Sequence, residues 1–377
     1  MSPPRIAFYL PHLRTGGVET VFVRLAREFA RIGHDVRVVV DRAEGELAAS
    51  LTCPVDILDA PRTLAAVPRL TRWLRVQAPD VLFSAISHNN LAALAARRLA
   101  GVPTAIIIGE HSILSRQTTK DWKFRLMPML ARLAYRRADA IVTVSEAGRN
   151  DLAALLGCSA DVIDVMPNPA TGPDAASRAA AAVTHPWFGA GDLVMAAGRL
   201  AAVKDFDLLL RAFALVASER PCRLIILGEG PERPRLERLC ADLGLSDRVD
   251  LPGRVDDTLP WFAHARAVVM SSHYEGFGLV LVEAMACGTP VVTTASGGPP
   301  AEILGHGAFG PVAASRTPGA LAAAIIQAFD HPVSPDVLRR RAADFSTGAS
   351  IAAYEALITR VLSANRKPGL ARAASLP

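Results

Sequence analysis

Apolar residues fall along this chain in short, nearly continuous runs. The first is Arg5-Ile-Ala-Phe-Tyr-Leu10, and others recur at Val36–Val40, Val55–Leu58, Pro79–Ser84, Thr104–Ile108, Ile141–Val144 and Val162–Val165. Between them lie stretches with helical spacing, near 19–32, over 64–77 and in the segment running to Leu99. Strands that are apolar at nearly every position belong to a sheet covered on both faces. Their alternation with helices predicts a parallel sheet. The rhythm breaks at Pro167-Asn-Pro-Ala-Thr-Gly-Pro-Asp174 and in the Ala-rich residues that follow, which read as a linker. It then restarts, with strands at Leu193–Ala197, Arg223–Leu227, Val249–Leu251, Ala265–Met270 and Val291–Thr294. Helices are predicted over 206–218, 232–243, near 257–264 and over 317–329, and a last one starts near Ser346 and covers Ala349–Leu362. The pattern predicts an α/β protein of two doubly wound Rossmann-like domains, 1–168 and 191–345, joined by a linker at 169–190 and followed by a helix and tail at 346–377. Two such domains facing one another would place a cleft at the carboxyl ends of both sheets.

Composition narrows the picture. At 377 residues the chain has the length for two ordinary domains. Hydrophobic residues make up 51% of it, yet no apolar run reaches the ~18–20 residues needed to cross a bilayer. The start, Met1-Ser-Pro-Pro-Arg5, leads straight into a strand without signal-peptide anatomy, so a cytoplasmic location is expected. Five scattered cysteines, Cys53, Cys158, Cys222, Cys240 and Cys287, lack metal-ligand spacing and read as reduced thiols. The charge is uneven. Residues 1–168 hold 21 Lys+Arg against 16 Asp+Glu, and the whole chain 41 against 36, so the first half carries all of the +5 excess. No basic recognition helix or aromatic platform accompanies it, and no nucleic-acid partner is expected.

The densest chemistry lies in Ser271-Ser-His-Tyr-Glu-Gly-Phe-Gly-Leu-Val-Leu-Val-Glu-Ala-Met-Ala-Cys-Gly-Thr-Pro-Val-Val-Thr-Thr294. Two carboxylates, Glu275 and Glu283, are separated by seven residues and flank a glycine loop and the start of a helix. Such a junction offers unpaired backbone N–H groups and the positive end of a helix dipole. A carboxylate beside a phosphate cradle is repelled by phosphate, which aims these acids at sugar hydroxyls. Upstream, Arg199 follows a strand and Lys204 precedes a helix, and two cations there suit the charge building on a departing diphosphate. Asp205-Phe-Asp207 imitates a metal motif, but Asp205 reads as a helix N-cap and Asp207 as a first-turn acid. After the first strand, Gly16-Gly17 lets backbone approach a ligand or take positive φ. His111, in Gly109-Glu110-His111-Ser112, follows a buried strand and can donate to a hydroxyl or polarise a transferring group. His12 and His88 are weaker candidates, and His273 reads as a residue that shapes the loop before Glu275.

The Glu-x7-Glu spacing, the intervening Gly-Phe-Gly-Leu and the Ala-Cys-Gly-Thr-Pro-Val-Val tail resemble the signature of retaining, nucleotide-sugar-dependent glycosyltransferases of the GT-B fold, family four, or group 1. The Gly198-Arg-Leu-x3-Lys204 run is similar to one in the same family. The resemblance implies a first domain that binds acceptor, a second that binds donor, and a last helix crossing back onto the first domain. It places Arg199 and Lys204 on the donor diphosphate, Glu275 on donor-sugar hydroxyls and Glu283 on the ribose, two turns into its helix. Gly276 and the amides of Phe277, Gly278 and Leu279 would serve sugar and diphosphate. Arg254 and Val255 would border the base, with Gly228-Glu229-Gly230 near them. Gly16 and Gly17 would approach diphosphate and acceptor, and His111 the donor sugar. Gly297-Gly298-Pro-Pro-Ala-Glu302 resembles the turn that follows the signature, stiffened here by Pro300. The implied reaction is retaining transfer of a hexosyl or N-acetylhexosaminyl group, with a UDP-sugar the expected donor, no metal or other cofactor, and no covalent nucleophile.

For the acceptor side, Ser115–Arg137 carries seven basic residues and one acid, interleaved with Trp122, Phe124, Leu126, Met127 and Met129. That composition suits peripheral contact with an anionic membrane, on the cytoplasmic face of an inner membrane. It points to a glycan or polyprenyl-linked acceptor in cell-surface polysaccharide or glycolipid assembly. Competing readings are a sugar-nucleotide epimerase of similar fold, a nicotinamide-dependent oxidoreductase and a non-catalytic nucleotide-sugar-binding protein. The missing Gly-x-Gly-x-x-Gly fingerprint disfavours the oxidoreductase.

Overall fold

A computed structural model of the protein describes residues 3–14, 16–111, 113, 115, 127–295 and 298–365. The chain divides into two compact units, Met1–Pro169 with Thr347–Pro377, and Ala170–Ser346. Among the described residues the first unit holds seven strands: β1 (Arg5–Leu10), β2 (Asp35–Val40), β3 (Val55–Ile57), β4 (Val81–Ala85), β5 (Ala105–Glu110), β6 (Ala140–Thr143) and β7 (Ile163–Val165). They run parallel in the order β3-β2-β1-β4-β5-β6-β7. The winding reverses between β1 and β4, where doubly wound sheets open a crevice at their carboxyl edge.

Alternate residues of β1 serve opposite faces, as pleating requires. Ile6, Phe8 and Leu10 join Phe22, Leu25 and Phe29 of the helix Gly17–Arg31. Ala7 and Tyr9 join Leu70, Leu74 and Ala93 of the helices Thr63–Gln77 and Ser87–Ala100. The long last helix, Thr347–Asn365, completes the first of these layers with Ile351, Tyr354, Leu357, Ile358 and Val361. Tyr354 meets Phe83 edge-on, with centroids 5.6 Å apart. This helix is therefore part of the first unit's core.

The second unit holds, among the described residues, β8 (Asp192–Ala197), β9 (Cys222–Leu227), β10 (Val249–Gly253), β11 (Ala267–Met270) and β12 (Val291–Thr293). They run parallel in the order β10-β9-β8-β11-β12. Here the winding reverses between β8 and β11. The helices Phe206–Glu219 and Pro318–Asp330 cover one face through Leu209, Phe213, Leu321 and Ile325.

Several elements differ from the sequence expectation. β5 continues through Gly109 and Glu110, so Glu110 ends a strand and does not begin a loop. The helix expected near 257–264 is a single turn, Leu259–Phe262. The helices Pro299–Ile303 and Pro335–Ala343 were not foreseen. The second presents only Leu338 and Ala342 as buried apolar residues, too thin a stripe to read from periodicity. Its arginines brace the region: Arg339 Nη2 donates to the Cys287 carbonyl at 3.2 Å, and the Arg341 guanidinium lies over Phe345 and Phe309, 4.7 and 5.1 Å from their centroids. Phe345 in turn packs edge-on against Phe277 at 5.5 Å. Among the described residues no helix is long and apolar enough to cross a membrane.

Candidate functional site

β8 ends at Ala197, and the chain turns at Gly198. A Cβ on Gly228 would lie 2.0 Å from the Gly198 carbonyl oxygen, and Gly228 has φ +138°. Only glycine lets the loops after β8 and β9 close up this far. Arg199 follows, exposed, and its guanidinium makes no hydrogen bond or ion pair among the described residues. A 3-10 turn, Ala202–Lys204, then delivers Lys204. Asp205 adopts the left-handed region at φ 49° and accepts from Leu208 N at 3.3 Å, capping the helix Phe206–Glu219. Aspartate is among the few non-glycine residues that enter this region readily. Asp207 pairs with Arg211 and Arg235 at 2.7 and 2.8 Å. These two acids thus serve the helix start and its surface. Among the described residues no group of three or more His, Cys, Asp or Glu is arranged to hold a metal.

On the other side of the switch point, β11 delivers Ser271, Ser272 and His273. The two loops are tied: Ser271 Oγ donates to the Lys204 carbonyl, and His273 N to the Val203 carbonyl, both at 2.8 Å. Lys204 Nζ is ion-paired with Glu275 Oε1, and Ser272 Oγ donates to the same oxygen at 2.7 Å. The two charged side chains are only 22% and 14% exposed, so each neutralises a partner held largely out of water. Gly276 and the buried Phe277 lead to Gly278, whose φ of +118° starts the helix Leu279–Cys287. The first amides of that helix have no carbonyl one turn back to bind. Glu283 is the fifth residue of the helix, so it sits about one turn in, not two as the sequence suggested. Thr258 Oγ1 donates to Glu283 Oε2 at 3.1 Å. That threonine belongs to the loop after β10 that also carries the exposed Arg254 and half-buried Val255. Its neighbour Asp257 accepts two hydrogen bonds from Arg178, at 2.8 and 2.9 Å. Cys287 lies close by with its thiol pushed up to about 12, first by burial and then by Glu283 and Asp257, so it is no thiolate at neutral pH.

In the first unit the polar groups gather at the β1–β4 switch point and the end of β5. Gly16 and Gly17 open the helix Gly17–Arg31, but neither has positive φ. A Cβ on Gly16 would lie 2.3 Å from Glu19 Oε2, whereas one on Gly17 would meet nothing within 4 Å. Gly16 therefore makes room for the chain's own carboxylate, and Gly17 leaves open space. His12 Nδ1 lies 3.6 Å from Glu19 Oε1. His111 is buried, packed edge-on to Phe22 at 5.7 Å, with neither ring nitrogen hydrogen-bonded. Burial pushes it down to about 4, so it is a neutral imidazole at pH 7. Beside it, Glu110 is pushed up to about 7 by burial, although Tyr135 donates to it along with Ser87 at 3.2 Å and Asn90 at 3.1 Å. Sequence reading passed over Glu110; a carboxylate closing an apolar strand was the available signal. Ser112, residues 116–126 of the basic segment, Gly297 and the tail from 366 lie outside the described residues.

Two parallel α/β sheets, each with polar side chains collected at or beside the point where the winding reverses, define a protein of two doubly wound Rossmann-like domains. Family comparison agrees and is more specific. The family model described as "Glycosyl transferases group 1" matches residues 182–345, and that described as "Glycosyl transferase 4-like domain" matches 16–169. The chain belongs to the group 1 glycosyltransferases and has the GT-B fold. It is 44% identical over 120 residues to a D-inositol 3-phosphate glycosyltransferase of Frankia alni, covering 29% of this chain and 30% of that one. It is 34% identical over 220 residues to a 2-deoxystreptamine glucosyltransferase of Streptomyces kanamyceticus, covering 55% and 57%. The matches thus span between about a third and just over half of these relatives. In fold it is similar to Anabaena HepE, solved in complex with UDP, with a TM-score of 0.77 and 21% identity over 94% of this chain and 100% of that one.

Proposed function

We propose that this glycosyltransferase moves a hexosyl or N-acetylhexosaminyl group, with retention of anomeric configuration, from a nucleoside-diphosphate sugar to a glycan or lipid-linked glycan in cell-surface assembly. The observation that carries the reading is the Lys204–Glu275 pair at the β8–β11 switch point, beside the open helix start at Gly278–Leu279. The pair separates two tasks. An incoming diphosphate takes Lys204, joined by Arg199 and the amides of Gly278 and Leu279, and releases Glu275 to accept from hydroxyls of the donor sugar. Gly276 and Phe277 shape that loop. Glu283, oriented by Thr258, accepts from the ribose, and Arg254 and Val255 border the base. UDP is the expected nucleotide, supported by the UDP complex of HepE.

In the transfer step the bond from the anomeric carbon to the diphosphate oxygen breaks and the bond to the acceptor oxygen forms on the same face. The acceptor proton passes to the departing diphosphate. Lys204 and Arg199 stabilise the charge that develops there, so this set of side chains needs neither a metal nor a covalent nucleophile. In the first unit, His111 as a neutral imidazole offers a hydrogen bond to a hydroxyl without repelling or attracting phosphate. Gly17 leaves open space for ligand hydroxyls, while Gly16 accommodates the Glu19 carboxylate beside it.

The test is thermal stabilisation by UDP, GDP, ADP and NAD, compared between wild type and Glu283→Ala. Ligand that binds only the folded state raises the midpoint by an amount set by its affinity. A shift with one nucleoside diphosphate that disappears in the variant supports the reading; a shift with NAD alone, or with nothing, overturns it. Peripheral membrane contact belongs to the same proposal, on a cytoplasmic face. Its support is the helix Met127–Ala134, which exposes Met129, Leu130 and Leu133, followed directly by the turn Tyr135–Arg137 with two arginines. Co-sedimentation with anionic liposomes at low salt tests it, and the absence of binding removes it.

A further inference from the structure

Behind the Lys204–Glu275 pair lies a guanidinium that contacts neither of them. Arg316 stands in the turn before the helix Pro318–Asp330, with its side chain 23% exposed. Its Nη1 donates to the Ser272 carbonyl at 2.5 Å and to Thr294 Oγ1 at 2.8 Å. Its Nη2 donates to the Ser271 carbonyl at 3.1 Å and to the Asp205 carboxylate. These four acceptors come from three loops, those following β8, β11 and β12, at the carboxyl edge of one sheet. Asp205 is the residue directly after Lys204, while Ser271 and Ser272 stand four and three positions before Glu275. Ser272 is gripped at both ends: its carbonyl by Arg316, its hydroxyl by Glu275. Thr294 Oγ1 donates to that same carbonyl at 3.2 Å.

The residue types fit this task closely. A guanidinium presents a rigid planar fork of five donors, which can hold several acceptors in fixed directions; an ammonium is a point charge and cannot. At position 205, glycine would satisfy the left-handed backbone with less strain. Aspartate there gives two things glycine cannot, the cap on Leu208 N and a counter-ion for Arg316. His273 Nε2 lies 3.2 Å from the same Asp205 carboxylate, adding a further tie between the β8 and β11 loops.

We propose that Arg316 is a positioning residue for the donor site: it locks the loops bearing Lys204 and Glu275 so that both charges stay in register when the ligand separates them. This rests on the donor-site reading above. Arg316 acts through the two loops and touches no reacting group.

Non-additivity distinguishes positioning from plain structural support. UDP affinity is measured by calorimetric titration at a temperature where circular dichroism shows each variant folded. Loss of a charge-assisted network of this kind is expected to weaken UDP binding about tenfold in Arg316→Met. Lys204→Ala weakens it by a similar factor, and the double variant Arg316→Met/Lys204→Ala is no more than about twofold weaker than the worse single variant. Arg316→Lys, which keeps the charge but not the fork, recovers most of the thermal stability and little of the affinity. Wild-type affinity in Arg316→Met, or fully additive losses in the double variant, overturns the proposal alone. A wild-type protein that binds none of UDP, GDP and ADP overturns the donor-site reading and this proposal with it. Should Arg316→Met fail to fold, Asp205→Asn keeps the capping oxygen and replaces the oxygen that accepts from Arg316 with an amide NH2, removing both the counter-charge and that acceptor. Its expected loss is about threefold, and wild-type affinity in that variant counts against the proposal.

Discussion

At the carboxyl edge of the first sheet, Glu110, His111 and Asn90 are buried, and the charge states of the first two are set by desolvation. At the edge of the second sheet, Lys204, Glu275, Asp205 and Arg316 are partly open, and each faces an oppositely charged partner. Both sets stand at or beside a switch point of a parallel sheet, so the fold does not account for the contrast. The local dielectric and the choice of partners do. An ionic pair that can exchange partners suits a ligand that brings its own charges. A neutral imidazole beside a carboxyl pushed up by burial presents little fixed charge, which on the proposed function suits a ligand presenting hydroxyls. On the proposed function, the same architecture serves two kinds of recognition.

The contrast can be broken at its base by opening the first core. Tyr354→Ala removes a buried ring that packs on Phe83 and is expected to cost about 3–5 kcal/mol in urea denaturation. A cost below 1 kcal/mol would mean the last helix is not part of that core. Next in size, Lys204→Ala should lower turnover of the donor by on the order of 100- to 1,000-fold in steady-state assays, the range seen when one charge-stabilising donor is removed. A change of less than threefold would strip the second edge of its role.

The first edge is sharpened by pH. Glu110 has its folded value raised from 4.5 to about 7, so its contribution to stability is fully present below pH 4.5 and is lost as pH rises through 7. His111 has its folded value lowered from 6.5 to about 4, so its contribution is present above pH 6.5 and is lost as pH falls through 4. The two slopes oppose each other between pH 4.5 and 6.5. Glu110→Gln should leave the histidine slope alone, so that stability rises with pH by up to about 3 kcal/mol across that window in denaturation series. A flat profile in the variant would show that the desolvation of His111 is weaker than its burial implies. A smaller effect is expected from Thr258→Val, which removes the hydroxyl that orients Glu283 and should weaken nucleotide binding by about five- to tenfold in titrations.

Much of this was legible in the chain. Long apolar runs such as Arg5–Leu10 mark buried parallel strands because the sheet is covered on both faces, and the structure starts and ends that strand where the apolar run does. The segment around Glu275 and Glu283 was legible because loop, helix and acids are contiguous. The partners of those acids were not. Lys204 lies 71 positions before Glu275, and Arg316 lies 111 after Asp205; only the strand order brings them together. Helix Pro335–Ala343 escaped because its buried stripe is two residues wide and its arginines reach outward to aromatic rings and carbonyls. Glu110 escaped because a carboxyl that ends a strand looks like the first residue of a loop until the sheet is built. In each case the missing information was pairing across the sheet edge, which local periodicity does not encode.

The central claim, that Glu275 holds Lys204 until a donor separates them, has an unusual consequence in sign. Replacing Glu275 with Gln removes the counter-ion of Lys204 and a carboxylate that repels diphosphate, while disabling the grip on the donor sugar. The measurement is UDP affinity by calorimetric titration alongside turnover of the UDP-sugar, in wild type and Glu275→Gln. The expected result is UDP binding tighter by about threefold with turnover lower by at least about 100-fold. UDP affinity that falls together with turnover would contradict the claim, because Glu275 would then be supporting the diphosphate site and not restraining it.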